Sequence, residues 1–124
     1  MNTFGNMHYT KDHEWVSIIK GIATIGITDY AQNELGDIIF IEFPDVGLEC
    51  DVGDTIGTIE AVKTVADIYS PMKGKVVEIN NSLEQTPDSI NNDPYGSGWI
   101  IKLDSIIINL SELLSADSYN KYIE

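Results

Sequence analysis

Apolar residues come in short bursts along this chain, and the turn-forming residues between them keep each burst near the length of a strand. Residues 22–27, 37–43, 55–60, 65–69, 75–79 and 99–103 are rich in Ile, Val, Thr and aromatic side chains and carry no internal proline. That composition suits strands on a pleated, half-buried surface. Trp15 and Val16 read as core residues following the polar strand start Asp12-His13-Glu14, and Lys20-Gly21 turns the chain toward 22–27. Within 37–43, Ile38, Phe40 and Glu42 fall on one face and Ile39, Ile41 and Phe43 on the other. So apolar a strand is expected to be covered on both sides.

Helical signals sit at the edges of this pattern. In 28–36, Thr28 is a cap, Asp29 suits the positive N-terminus, Ala31 and Leu35 share a face, and Gly36 suits a left-handed stop. Thr86-Pro87-Asp88 predicts one helical turn with Thr86 as its cap and Pro87 in first position. Residues 91–98 read as loop, and in the tail at about 109–124, Leu113, Leu114, Tyr119 and Tyr122 recur at helical spacing. The sum is a mostly β fold, a small barrel or sandwich with helical additions, in a single domain over 1–124.

Charge removes whole classes of function. A formal net charge of −13, with seven lysines and no arginine, excludes a basic groove for nucleic acid. One cysteine, Cys50, excludes an internal disulfide and a multi-cysteine metal site. It lies in the turn-like segment 47–51, whose acidic residues favour the protonated thiol and an incidental role. His8 reads as part of a solvated N-terminal loop, and the two histidines lack ligand spacing, so no metal is implied. No run approaches the ~20 apolar residues of a membrane span. The opening residues carry no signal-peptide apolar core. A cytoplasmic bacterial protein is expected, with a mature mitochondrial form as the other reading.

The chemistry centres on Lys63. The runs 55–60 and 65–69 flank Ala61-Val62-Lys63-Thr64, a hairpin tip that stands the lysine in solvent within the segment 51–79. Gly53-Asp54, Gly57, Glu60, Lys63, Ile68, Ser70-Pro71, Gly74 and Val76 are similar to the attachment segment of lipoyl and biotinyl domains. Along the chain, the runs 9–16, 26–32, 35–38, 60–63, 67–71 and 91–99 closely resemble the H-protein family of the glycine cleavage system. Val62 and Thr64 stand where biotin carriers have methionines, which points to lipoate.

That resemblance implies a lipoyl/biotinyl-domain-like barrel-sandwich hybrid and lipoic acid joined covalently to Lys63. It implies a carrier, not an enzyme. The arm would take an aminomethyl group from glycine decarboxylase (P protein) to aminomethyltransferase (T protein), and dihydrolipoyl dehydrogenase (L protein) would reoxidise it. A lipoate ligase or a lipoyl/octanoyl transferase would attach the group. The resemblance also assigns Glu14 and Asp67 to a docking cleft for the loaded arm, with Asp12 and His13 as further candidates. Ala61 stands where family members commonly carry serine, Asp12 adds charge beside the cleft, and Ile106-Ile107-Ile108 is unusually apolar. Two other readings stay open: a relay of lipoyl or octanoyl groups to 2-oxoacid dehydrogenases, and an unmodified binding module.

Overall fold

A computed structural model describes residues 7–104 and 113–124. Its described residues form nine strands in two sheets. The larger sheet holds β1 (Met7–Tyr9), β2 (Glu14–Ile19), β3 (Ile22–Ile27), β5 (Glu49–Cys50), β8 (Gly74–Ile79) and β9 (Ile101–Asp104), in the order β1-β2-β3-β9-β8-β5. The smaller has β4 (Ile38–Glu42), β6 (Thr55–Ala61) and β7 (Val65–Tyr69), in the order β4-β6-β7. Neighbouring strands pair antiparallel throughout, and one core draws on both sheets: Val16, Ile25, Val76 and Leu103 meet Ile41, Ile56, Ile59 and Ile68. Each such side chain contributes about 1.5–3 kcal/mol on leaving water. This is the mostly β architecture anticipated from the strand bursts.

Helix α1 (Asp29–Leu35) begins as its sequence predicts, with Thr28 Oγ1 accepting from the Ala31 amide at 3.2 Å. It stops at Gly36, although the stop is not the left-handed helical one expected. Gly36 has φ 81° and ψ −156°, an extended conformation essentially reserved for glycine.

Several local expectations are corrected. In β4, Ile38 opposes Ala61 and Phe40 opposes Glu60, so Ile39 is an extra residue in a bulge. The bulge breaks the two-residue alternation: Ile38 and Ile41 are buried, while Ile39 and Phe40 are 54% and 49% exposed rather than covered. Secondly, the turn after Pro87 becomes α2 only over Ser89–Asn92, because the Thr86 hydroxyl donates back to the Ser82 carbonyl at 3.0 Å instead of capping forward. Asn91, read as loop, belongs to that helix. Its side chain accepts from the Ile38 amide (3.0 Å) and donates to Gln32 Oε1 (3.0 Å) and the Gly36 carbonyl (2.9 Å), bolting α1 to β4.

Thirdly, the tail is helical only from α3 (Ala116–Tyr122), capped by Ser115, whose hydroxyl oxygen accepts from the Ser118 amide. Leu114 instead exchanges two backbone hydrogen bonds with Tyr9, at 2.7 and 2.8 Å. The remainder of the predicted tail helix, 109–112, and the run Ile106-Ile107-Ile108 lie outside the described residues. Finally, His8 is in strand β1 opposite Val16, and Cys50 is a buried residue of β5 rather than a turn residue. No described helix is long and apolar enough to cross a membrane.

Candidate functional site

The β6–β7 hairpin closes tightly. Glu60 pairs with Val65, and the Ala61 amide donates to the Thr64 carbonyl at 2.8 Å, leaving Val62 and Lys63 as the two central residues. Neither has a positive φ, so the turn is not one of the primed types that require glycine or asparagine. A further bond fixes the tip: the Val62 amide donates to the Asp37 carbonyl at 3.0 Å, just before β4. Since Asn91 holds the start of β4, the tip is tied through Asp37 to α1 and α2. Lys63 is exposed at this apex, its four-carbon stem free to carry the amine into solvent.

A cleft of about 340 Å³ opens beside the same hairpin. Four structural regions build it. Asp12 and His13 come from the turn between β1 and β2 and Glu14 from the start of β2, Tyr30, Ala31, Glu34 and Leu35 from α1, and Ile59, Ala66, Asp67 and Ile68 from the hairpin strands. Ile27 of β3 completes the wall. The lining is thus apolar in its aliphatic side chains and acidic in four carboxylates.

Glu14 is the unusual member, because it is only 2% exposed. One carboxylate oxygen accepts from the Tyr69 amide and the other from Thr10 Oγ1, each at 2.9 Å. Those bonds favour the charged form, yet loss of hydration outweighs them and, with Asp12 nearby, lifts its pKa to about 7. Asp67 is exposed on the edge strand and accepts from Thr58 Oγ1 at 3.2 Å. Asp12 is exposed at the rim.

His13 has φ 67°, which aims its ring between α1 and α3. Its Nδ1 lies 2.8 Å from the Tyr119 hydroxyl, and its ring is 4.7 Å from that of Tyr30. The Tyr119 hydroxyl is also 2.7 Å from Thr28 Oγ1. The four acidic and histidine candidates named from the sequence, Asp12, His13, Glu14 and Asp67, therefore surround one cavity, and Lys63 stands on the hairpin that walls it.

Sequence reasoning missed Tyr30 and Glu34. Their four-residue spacing was the available signal: it puts both on a stripe beside Ala31 and Leu35, so one side of α1 carries apolar and acidic groups toward the cleft. A larger depression of about 640 Å³ lies along β5 and β8, near Cys50, Asp54, Lys73 and Asp104. It includes none of the residues above. Burial and the nearby Asp54 charge raise the Cys50 pKa, so that thiol is held protonated. Among the described residues no group of three or more His, Cys, Asp or Glu side chains could hold a metal ion.

A small two-sheet β fold with an exposed lysine on a tied-down hairpin, next to an acidic and apolar cleft, has the form of a carrier protein. Comparison with known proteins makes the assignment particular. The family model described as Glycine cleavage H-protein matches residues 7–124, and the chain belongs to that family. A glycine cleavage system H protein of Staphylococcus epidermidis is 52% identical over 116 residues, covering 93% of this chain and 92% of the relative. One from Listeria monocytogenes is 50% identical over 117 residues, covering 94% of each. The crystal structure of a glycine cleavage system H protein from Mycobacterium marinum superposes with a TM-score of 0.87 at 36% identity, covering 94% of this chain and 95% of that one. The chain is a lipoyl-carrier component of the glycine cleavage system and not a catalyst of its steps.

Proposed function

We propose that Lys63 is the lipoyl attachment point and that Glu14 and Asp67 belong to the cleft that receives the arm. The observation that carries this reading is the exposed amine on a tip held by two backbone bonds, three residues before the cleft wall at Ala66. Attachment needs the neutral amine. Nζ attacks the carbonyl carbon of an activated acyl donor, an adenylate or thioester; the amide C–N bond forms, the leaving group departs with its electron pair, and the nitrogen loses a proton. Lysine supplies that nucleophile and arginine does not.

The cleft suits the group chemically. Ile27, Ala31, Leu35 and Ile59 match a hydrocarbon arm, while Asp12, Glu14, Glu34 and Asp67 match an ammonium. When attached, lipoate supplies a disulfide that opens to hold a one-carbon amine and two electrons. The chain's own residues bind and shelter. The apolar wall excludes water, and the buried Glu14 carboxyl, neutral for part of the time near pH 7, is drawn to its charged form by a cation brought beside it. The partners of this reading are glycine decarboxylase, aminomethyltransferase, dihydrolipoyl dehydrogenase and a lipoate ligase or lipoyl/octanoyl transferase. Its compartment is the bacterial cytoplasm, and 1–124 acts as one carrier domain.

Intact mass after co-expression with a lipoate ligase tests the assignment. The wild-type chain is expected to gain one lipoyl group and Lys63→Arg none, with unchanged unfolding. Lipoylation persisting on Lys63→Arg overturns the site, and a wild-type mass equal to the bare polypeptide leaves only the unmodified module.

A further inference from the structure

The bulge in β4 turns two large apolar side chains outward immediately beside the lysine tip, and neither lines the cleft. Ile39 and Phe40 are 54% and 49% exposed, where regular alternation would have buried one of the two. Register continues the surface across the sheet. Phe40 opposes Glu60 and Glu60 opposes Val65, so the three form one outward row, with Val65 59% exposed. Glu42 is exposed two residues beyond Phe40 on the same strand. This is an apolar platform edged by carboxylates, attached rigidly to the apex through the bond from Val62 to Asp37. Exposed apolar platforms beside charged residues mark contact surfaces.

Reach distinguishes the visitors. A catalytic component works on the far end of a long arm, so its reacting atoms are set further from the tip. The enzyme that makes the amide has to bring its reacting carbonyl to Lys63 Nζ itself, so its surface must lie against the neighbours of the tip. We propose that Ile39 and Phe40 form the docking platform for the acyl-attaching enzyme, whose matching surface is an apolar depression bordered by Lys and Arg. The inference rests on Lys63 being the attachment point. A second copy of this chain is a poor occupant: it would bring Glu42 and Glu60 against their own counterparts, on molecules each of formal charge −13.

The test follows acyl attachment to the purified apo-chain by a lipoate ligase with lipoate and ATP, read as intact mass against time. Ile39→Ser/Phe40→Ser and Phe40→Lys are compared with wild type and with Ile19→Ser, an equally exposed apolar position in the other sheet. The platform variants should lose roughly tenfold or more in kcat/KM for attachment, and Ile19→Ser should stay within about twofold. Once fully lipoylated, the platform variants should support glycine cleavage within about twofold of wild type.

Wild-type attachment rates in the two platform variants overturn the proposal while leaving Lys63 in place. A parallel loss in glycine cleavage overturns it by assigning the surface to the catalytic components. Wild-type self-association that Phe40→Lys abolishes, seen by sedimentation, overturns it in favour of a second copy. If wild type gains no mass at Lys63, the attachment site and the platform fall together. Matching thermal midpoints separate lost docking from lost folding.

Discussion

Glu14 is a carboxyl group governed by opposing local effects. Two hydrogen bonds, from Tyr69 and Thr10, pull its pKa down, and nearly complete removal from water pushes it up to about 7 against an ordinary 4.5. Between those values the native state binds more protons at this group than the unfolded state does. Its contribution to stability is therefore full below about 4.5, falls as pH rises, and is lost above about 7. Integrated over that window, the loss is on the order of 3 kcal/mol. Glu14→Gln keeps an acceptor for one of the two donors but cannot ionise. Urea denaturation from pH 4.5 to 8 should show the wild-type decline, and the Gln variant should lack that part of the slope; equal slopes would place the titration on another group. The sequence names Glu14 as a cleft residue only by resemblance. Its burial is not legible there, because Tyr69, which caps the carboxylate, lies 55 residues away.

At the scale of elements, what depends on residues close together along the chain was legible in sequence. The Thr28 cap, the Lys20-Gly21 turn with φ of 51° and 79°, and the hairpin tip depend on residues a few positions apart. The bulge in β4 depends on the register of β6, and no periodicity within 37–43 reveals it. Helix α3 was legible from the spacing of Tyr119 and Tyr122 but its start was not, and at seven residues it is too short to persist alone. It is held by the stacking of Tyr119 on Tyr9, with ring centres 4.9 Å apart, and by the Tyr119 hydroxyl between His13 and Thr28. Tyr122 adds a bond from its hydroxyl to the Lys11 carbonyl at 3.3 Å, so the helix clasps the turn that carries Asp12, His13 and Glu14. Tyr119→Phe keeps the stacking and deletes the hydroxyl. It should cost about 1–2 kcal/mol in urea denaturation. Amide exchange should speed up in 10–14 and stay slow in β8 and β9; unchanged exchange in 10–14 would separate α3 from the cleft lip.

For the whole molecule, the acidic surplus is the property most readily read from the sequence, since a sum of charges needs no fold. It is also hard to explain by stability. Twenty acidic residues face seven lysines, and a surface pair such as Lys102 with Glu78 at 3.8 Å contributes about 0–1 kcal/mol. The remaining carboxylates repel one another. Their value to a carrier lies in encounter: a molecule that must visit several enzymes in turn gains from long-range attraction to basic docking surfaces, without needing tight binding that would slow its release. Such attraction is screened over about 8 Å at physiological ionic strength. The second-order rate constant for transfer between the lipoylated chain and the other components of the glycine cleavage system, taken at low carrier concentration, should fall roughly tenfold between low and high salt. The maximal rate at saturating carrier should change far less, because chemistry on a docked arm does not depend on the approach. A rate constant indifferent to salt would mean that the surplus charge serves solubility alone, and that collisions succeed by shape rather than by field.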